Sequence, residues 1–159
     1  MIKGFKCFCS GLTNAFGQKF HLDKKYVCDG KVKFKSNGYH LCTNLEDTLR
    51  YFDGVNKNVD ICEVIGFPEY MKYEDDYYGY YDMYACQGIL LTKVLTRDEI
   101  IKKADKMHAL AFKRLAAGYK LTNNELDYFK NKYRKNLDVL YHLIYNYEDK
   151  DIYKKLIRR

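Results

Sequence analysis

Four side chains able to do chemistry fall within the stretch GYHLCTNLED: His40, Cys42, Glu46 and Asp47. A Cys–His pair is the smallest unit that makes a thiolate nucleophile, and its reacting atoms must come within about 3 Å. If YHLC is a strand, His40 and Cys42 share a face, because side chains alternate. Two residues of strand rise separate them by roughly 6–7 Å. No third group at readable spacing orients the imidazole. Inward packing is therefore the favoured reading, since Cys is among the most often buried residues.

Cys7 and Cys9, taken with His40 and Cys42, offer four zinc ligand types. Structural zinc sites, however, pair two C-x2–4-C units. Cys7-x-Cys9 is too tight for that pattern, and Cys28, Cys62 and Cys86 are scattered, so no metal is expected. The chain lacks G-x-x-x-x-G-K-[ST], G-x-G-x-x-G and G-x-S-x-G, the signatures of phosphate cradles and nucleophile elbows. No cofactor is expected.

Two other stretches suggest binding instead of bond-making. EYMKYEDDYYGYYDMY, residues 69–84, holds seven Tyr and a net charge of −4. Tyr supplies contact area at low entropic cost, and Tyr73, Glu74, Asp75, Asp76, Tyr77, Tyr78, Tyr80, Tyr81 and Asp82 form the candidate docking surface. The alternative is a hairpin whose rings stack on the sheet. Near the C-terminus, Lys102, Lys103, Lys106, Lys113 and Arg114 fall on one helix, and Lys130, Lys132, Arg134 and Lys135 on the next. Clustered cations of this kind are what phosphate binding needs, although charge runs are more often solvated faces.

Charge is segregated along the whole chain. Residues 1–35 carry 8 Lys/Arg against 2 Asp/Glu, residues 36–95 carry 4 against 10, and residues 96–159 carry 16 against 9. Basic flanks bracket an acidic middle, a pattern that speaks to partners and steering. No apolar run approaches the ~20 residues that span a bilayer. No leader-like apolar stretch opens the chain, so a cytoplasmic protein with six reduced cysteines is expected.

The elements that must position these residues read as α+β. IKGFKCF opens a strand. KKYVC and KVKFK alternate around Asp29-Gly30 and predict a hairpin. Gly38 precedes the strand YHLC, and TNLE is a capping box starting a helix to about Phe52. NVDICEVIGF and ACQGILLTKVL are β-rich and expected to pair. TRDE and TNNE are further capping boxes, predicting helices to about Ala117 and Tyr147, the first with His108 inward and the second with Leu137 inward. The expected organisation is a mainly antiparallel sheet with one short helix and a Tyr/acid excursion over 1–95. A basic antiparallel helical hairpin with a helical tail follows over 96–159, packed with it as one compact unit.

Lys3-Gly4-Phe5, Gly38-Tyr39-His40-Leu41-Cys42, Asn44, Asp47 and Tyr51-Phe52 resemble the K-G-F and G-F-H-x-C-x-N-x-x-D pattern of an uncharacterised domain found in phage and prophage proteins. The resemblance spans about the first 95 residues. It implies a small accessory protein of a phage or mobile element in the host cytoplasm. The polarised charge and tyrosines add the expectation of binding: a host nucleic-acid-handling protein or ribonucleoprotein complex, such as a defence system that the protein inhibits in anti-CRISPR fashion. More distantly, KGF followed by GYHLCTNLEDTLRYF is similar to the split core of ADP-ribosyltransferases. That resemblance implies NAD as substrate, with His40 and Glu63 as catalytic candidates and Tyr39 stacking on nicotinamide. A third expectation is nucleic-acid binding by the basic C-terminal helices.

Overall fold

A computed structural model describes residues 1–34, 36–51, 58–73 and 82–147, with the side chains of 50 and 51 excepted. Its class is the α+β expected from the sequence: among the described residues, five antiparallel strands are followed by four α-helices. The strands are β1 (Ile2–Cys9), β2 (Lys25–Val27), β3 (Tyr39–Cys42), β4 (Val59–Lys72) and β5 (Met83–Val94). The helices are α1 (Arg97–Asp105), α2 (Ala109–Gly118), α3 (Asn123–Lys132) and α4 (Leu137–Tyr147). Two compact units are distinguished: Met1–Thr48 with Asn58–Ile100, and Leu49–Lys57 with Ile101–Arg159.

In the first unit the sheet closes on itself. β1 pairs with β4 along its length, β4 pairs with β5, β5 pairs with β3, and β3 returns to β1 at Phe5–Cys42. β2 lies beyond β3 along the same edge of β5. Register assigns the faces, because directly opposed residues point the same way. Ile2, Gly4, Lys6 and Phe8 oppose Gly66, Val64, Cys62 and Asp60. They face inward with Leu41, Cys86, Ile89 and Leu91, which form the buried core with Phe8 and Phe20. Phe5, Cys7, His40, Cys42, Glu63, Met83 and Ala85 take the opposite face.

Closure of the ring depends on two glycines. A Cβ on Gly4 would lie 2.4 Å from the Cys42 carbonyl oxygen, and one on Gly66 would lie 2.5 Å from Cys86 Sγ. Both would meet Leu41, which fills the inside of the ring.

The second unit buries Phe112, Leu115, Phe129, Val139 and Leu143. Phe112 packs 4.3 Å from Phe129 and stacks on Tyr133 at 4.9 Å. Tyr133 donates its hydroxyl to the Met107 carbonyl at 2.9 Å, and Tyr147 donates to that of Ala116 at 2.8 Å.

Several local expectations are corrected. The Asp29-Gly30 hairpin does not form: β2 pairs with β5, and the residues after Gly30 make only an isolated bridge, Lys33–Asn37. KYV is a strand but KVKF is not, and β2 takes its partner from the distant strand β5. Thr43 donates its hydroxyl to the Asp82 carbonyl at 3.4 Å, and a 3₁₀ helix starts only at Glu46. The two long C-terminal helices are four short ones. His108 is the exposed N-cap of α2, accepting from the Ala111 N–H, not an inward helix residue. Leu137, at the start of α4, is also exposed. The capping boxes at Thr96 and Thr122 are present. Among the described residues, no helix is long and apolar enough to cross a membrane.

Candidate functional site

His40 and Tyr73, proposed from the sequence for different reasons, meet through a third ring. His40 opposes Ala85, which also opposes Met71, so His40 and Met71 share one row across β3, β5 and β4. In the next row the Tyr73 N–H donates to the Met83 carbonyl at 2.9 Å, and Met83 opposes Cys42. Phe34 lies edge-on to His40 at 4.9 Å and stacks on Tyr73 at 4.3 Å. The turn after Phe34 is fixed by Lys33 and Asn37, whose backbones exchange hydrogen bonds of 2.8 and 2.9 Å. The Asn37 amide bonds the carbonyls of Asp29 and Lys31.

The imidazole is held neutral at physiological pH. Burial pushes its pKa down to about 4, helped by the positive charge of Lys6. Lys6 lies on the inner face, and its ammonium donates to the His40 carbonyl at 2.8 Å. Burial lowers the Lys6 pKa, an effect opposed by Cys42, Cys7, Cys86 and Cys62. The same desolvation raises Cys86 to about 11 and Cys62 to about 12, and moves Cys7 upward as well. These three thiols stay protonated, and a protonated thiol is neither nucleophile nor metal ligand. All six cysteines are free, and among the described residues no group of three or more His, Cys, Asp or Glu is placed to hold a metal.

His40 and Cys42 share a face, as strand alternation requires, and Cys42 is buried. Glu63 shares that face too, since it opposes Phe5, which opposes Cys42. Strand β1 nevertheless runs between Glu63 and His40, and Phe5 and Cys42 occupy the row between their strands. Tyr39, given a nicotinamide-stacking role by the transferase resemblance, packs inward against Phe20 at 6.2 Å.

The ends of the Tyr/acid stretch are strand. Tyr70, Met71 and Lys72 oppose Cys86, Ala85 and Tyr84, and Lys72 pairs with Asp82 at 3.0 Å. Glu74, Asp75, Asp76, Tyr77, Tyr78, Tyr80 and Tyr81 lie outside the described residues. β1 stops pairing at Gly66, so β4 continues from Phe67 to Lys72 with β5 alone beside it among the described residues. Tyr70 and Met71 are 37% and 38% exposed there, flanked by exposed Glu69 and Lys72.

Of the basic helix residues, Lys132 reaches Asp105 at 2.6 Å and Lys113 reaches Asp138 at 2.5 Å. Lys102 and Lys106 line a shallow groove of about 340 Å³ with Ile101, Asp105 and Tyr128. Tyr128 donates to Asp105 at 2.6 Å. Lys103, Arg114 and Lys130 have partners of their own. Arg134 and Lys135 are exposed between α3 and α4.

Sequence reading missed Lys6 and Phe34. The signal for Lys6 was present, because Gly4, Lys6 and Phe8 alternate onto one face and Phe8 is an evident core residue.

A closed antiparallel sheet with a neutral, aromatic-packed histidine, followed by helices, defines an α+β protein. The chain belongs to the family described as a domain of unknown function (DUF7666), whose model matches residues 2–103. That span takes in every strand of the sheet and most of α1. No curated protein and no solved structure matches the chain. The glycines quoted in the sequence resemblance are structural: Gly4 admits the Cys42 carbonyl, and Gly38, at φ +119, lies against Cys86 and Val32.

Proposed function

We propose that this protein works by docking, with the paired ends of β4 and β5 as its binding element. The observation that carries the reading is the continuation of β4 from Phe67 to Lys72 past the last residue of β1 that supports it. Along it, exposed Tyr70 and Met71 stand among Glu69, Lys72 and Asp82. Amphipathic aromatics rimmed by charge are the composition of a binding patch. The single proline, Pro68, and the charged neighbours disfavour indiscriminate strand pairing at this edge.

The partner class follows from charge. The acidic middle segment that includes this element suits a basic surface, such as that of a nucleic-acid-handling protein or ribonucleoprotein complex. Origin in a phage or mobile element, and a host defence complex as target, are supported by the Lys3-Gly4-Phe5 and Gly38-Tyr39-His40 resemblance alone.

The test uses the full chain as bait in host lysate, with partners identified by mass spectrometry and their affinity then measured for purified components. Replacing Tyr77, Tyr78, Tyr80 and Tyr81 by Ser, together with Tyr70, is expected to weaken that affinity at least ~100-fold, as loss of aromatic hot spots does. Full affinity in the substituted chain would rule out this element as the binding surface.

A further inference from the structure

Phe16 is the most exposed large apolar side chain among the described residues, at 94%, and it is displayed by a tightly built turn. Its neck is closed by paired bridges, Cys9–Thr13 and Thr13–Lys19. The Asn14 carboxamide oxygen accepts from the N–H groups of Phe16 and Gln18 at 3.0 and 2.9 Å. Its amide nitrogen donates to the Gln18 side chain at 3.2 Å. Gly17, at φ +82, permits the reversal. At the foot, the Asp60 carboxylate accepts from Gly11 and Leu12 at 2.7 and 3.0 Å, and Phe20 is buried against Phe8 and Tyr26. These contacts fix the backbone that presents the ring, and a pre-organised turn loses less entropy on binding.

Exposed lysines occur on the returning arm and just beyond it. Lys19 forms its returning arm, and Lys24 lies over the Tyr26 ring at 5.3 Å. Asp23 is the one acid among residues 18–25. We propose that this turn grips single-stranded nucleic acid: a base stacks on Phe16, and Lys19 and Lys24 meet the adjoining phosphates.

The chemistry favours that occupant over two others. A bilayer needs more apolar surface than one ring beside polar Asn14 and Gln18. Even a whole myristoyl chain binds membranes only marginally. Lysine is depleted in the cores of protein–protein interfaces, whereas phosphate contacts require cations. Stacking on one aromatic strengthens single-strand binding by roughly 5- to 100-fold and needs no particular base. This site is separate from the β4–β5 element, so either may fail without the other.

The chain contains no Trp, so Phe16→Trp introduces a unique fluorophore at an exposed position where folding is not at stake. Titrating this variant with a short oligothymidylate at low salt should quench the indole saturably, and added salt should reverse the effect. Phe16→Ala, followed with a dye-labelled oligothymidylate, should bind about 10-fold more weakly, and Lys19→Gln should lower the salt slope by about one phosphate contact. Absence of saturable quenching would overturn the proposal. So would equal affinity in Phe16→Ala, or a blue shift on phosphatidylserine vesicles without quenching by the oligonucleotide.

Discussion

The two units accommodate positive charge in opposite ways. In the helical unit, Lys132 and Lys113 are matched to Asp105 and Asp138 at the surface. In the sheet unit, Lys6 points into a ring of apolar and thiol side chains and rests its ammonium on a backbone carbonyl. Surface pairs are weakened by water and salt, so the helical charges can be exchanged or lent to a partner without disturbing the fold. A desolvated charge acts on everything near it, and here it helps hold His40 neutral. The sheet unit should therefore respond strongly to substitution and pH, and the helical surface weakly.

The largest effect is expected where the ring has no slack. Gly4→Ala places a methyl 2.4 Å from a backbone oxygen that moves only if β3 moves. A loss of about 3 kcal/mol is expected, at the upper end for overpacking, seen as a lower urea midpoint. Gly66→Ala meets side chains, Cys86 Sγ and Leu41 Cδ2, which can turn aside, so about 1–2 kcal/mol is expected. Equal midpoints for Gly4→Ala and the parent would mean that β1 and β3 are not locked together.

His40 comes next. Its folded pKa lies near 4, below the 6.5 of a free imidazole. A depressed pKa gives stability that is complete above pH 6.5 and lost as pH falls towards 4, because the unfolded chain takes up the proton first. After allowance for the part of the ring that water reaches, the loss is on the order of 2 kcal/mol. His142 is also pushed down by burial, so the difference between the parent and His40→Gln isolates the contribution. If the two proteins lose stability in parallel between pH 6.5 and 4, His40 is not desolvated as described.

Lys6→Met tests the source of that field. The lysine's folded pKa is depressed by burial, so its burial penalty is relieved as pH rises towards the unfolded value. Replacing the charge with an apolar chain of similar length should raise stability by about 1 kcal/mol at pH 7, and by less at pH 10. It should also move the His40 titration, followed by NMR, upward. A Lys6→Met protein less stable than its parent at both pH values would show that the carbonyl contact outweighs desolvation.

The fold was legible where local signals and long-range pairing agreed. β4 and β5 are long and β-rich, and the pairing that their composition predicts is present. The capping boxes at Thr96 and Thr122 sit at true helix starts, where each hydroxyl accepts from the N–H three residues on. At Thr43 the same motif forms no cap; its hydroxyl donates instead to the Asp82 carbonyl across the chain. The breaks between helices were partly readable: Asn136 accepts from the Val139 N–H at 3.2 Å as an ordinary N-cap, but a histidine cap at His108 has little sequence signature. Closure of the ring was not legible, because it depends on a contact between residues 5 and 42 that no local pattern encodes. For the same reason His40 was found, while Lys6 and Phe34, the groups that set its environment, were not.

The smallest effect is expected where the helical unit displays its charges. Asp105 accepts from both Lys132 and Tyr128, and the hydrogen bond from Lys132 holds its carboxyl below the usual range. The group is open to solvent, however, so competing water and ions offset most of the attraction. Lys132→Gln and Asp105→Asn should each leave thermal unfolding almost unchanged at physiological salt. The double substitution should show little coupling beyond the sum of the singles. A small separation between single and double variants should appear only at low ionic strength, where screening is lifted. If Lys132→Gln destabilised the protein as much as Gly4→Ala, the surface network would be structural, and the two units would not differ in how they tolerate loss of charge.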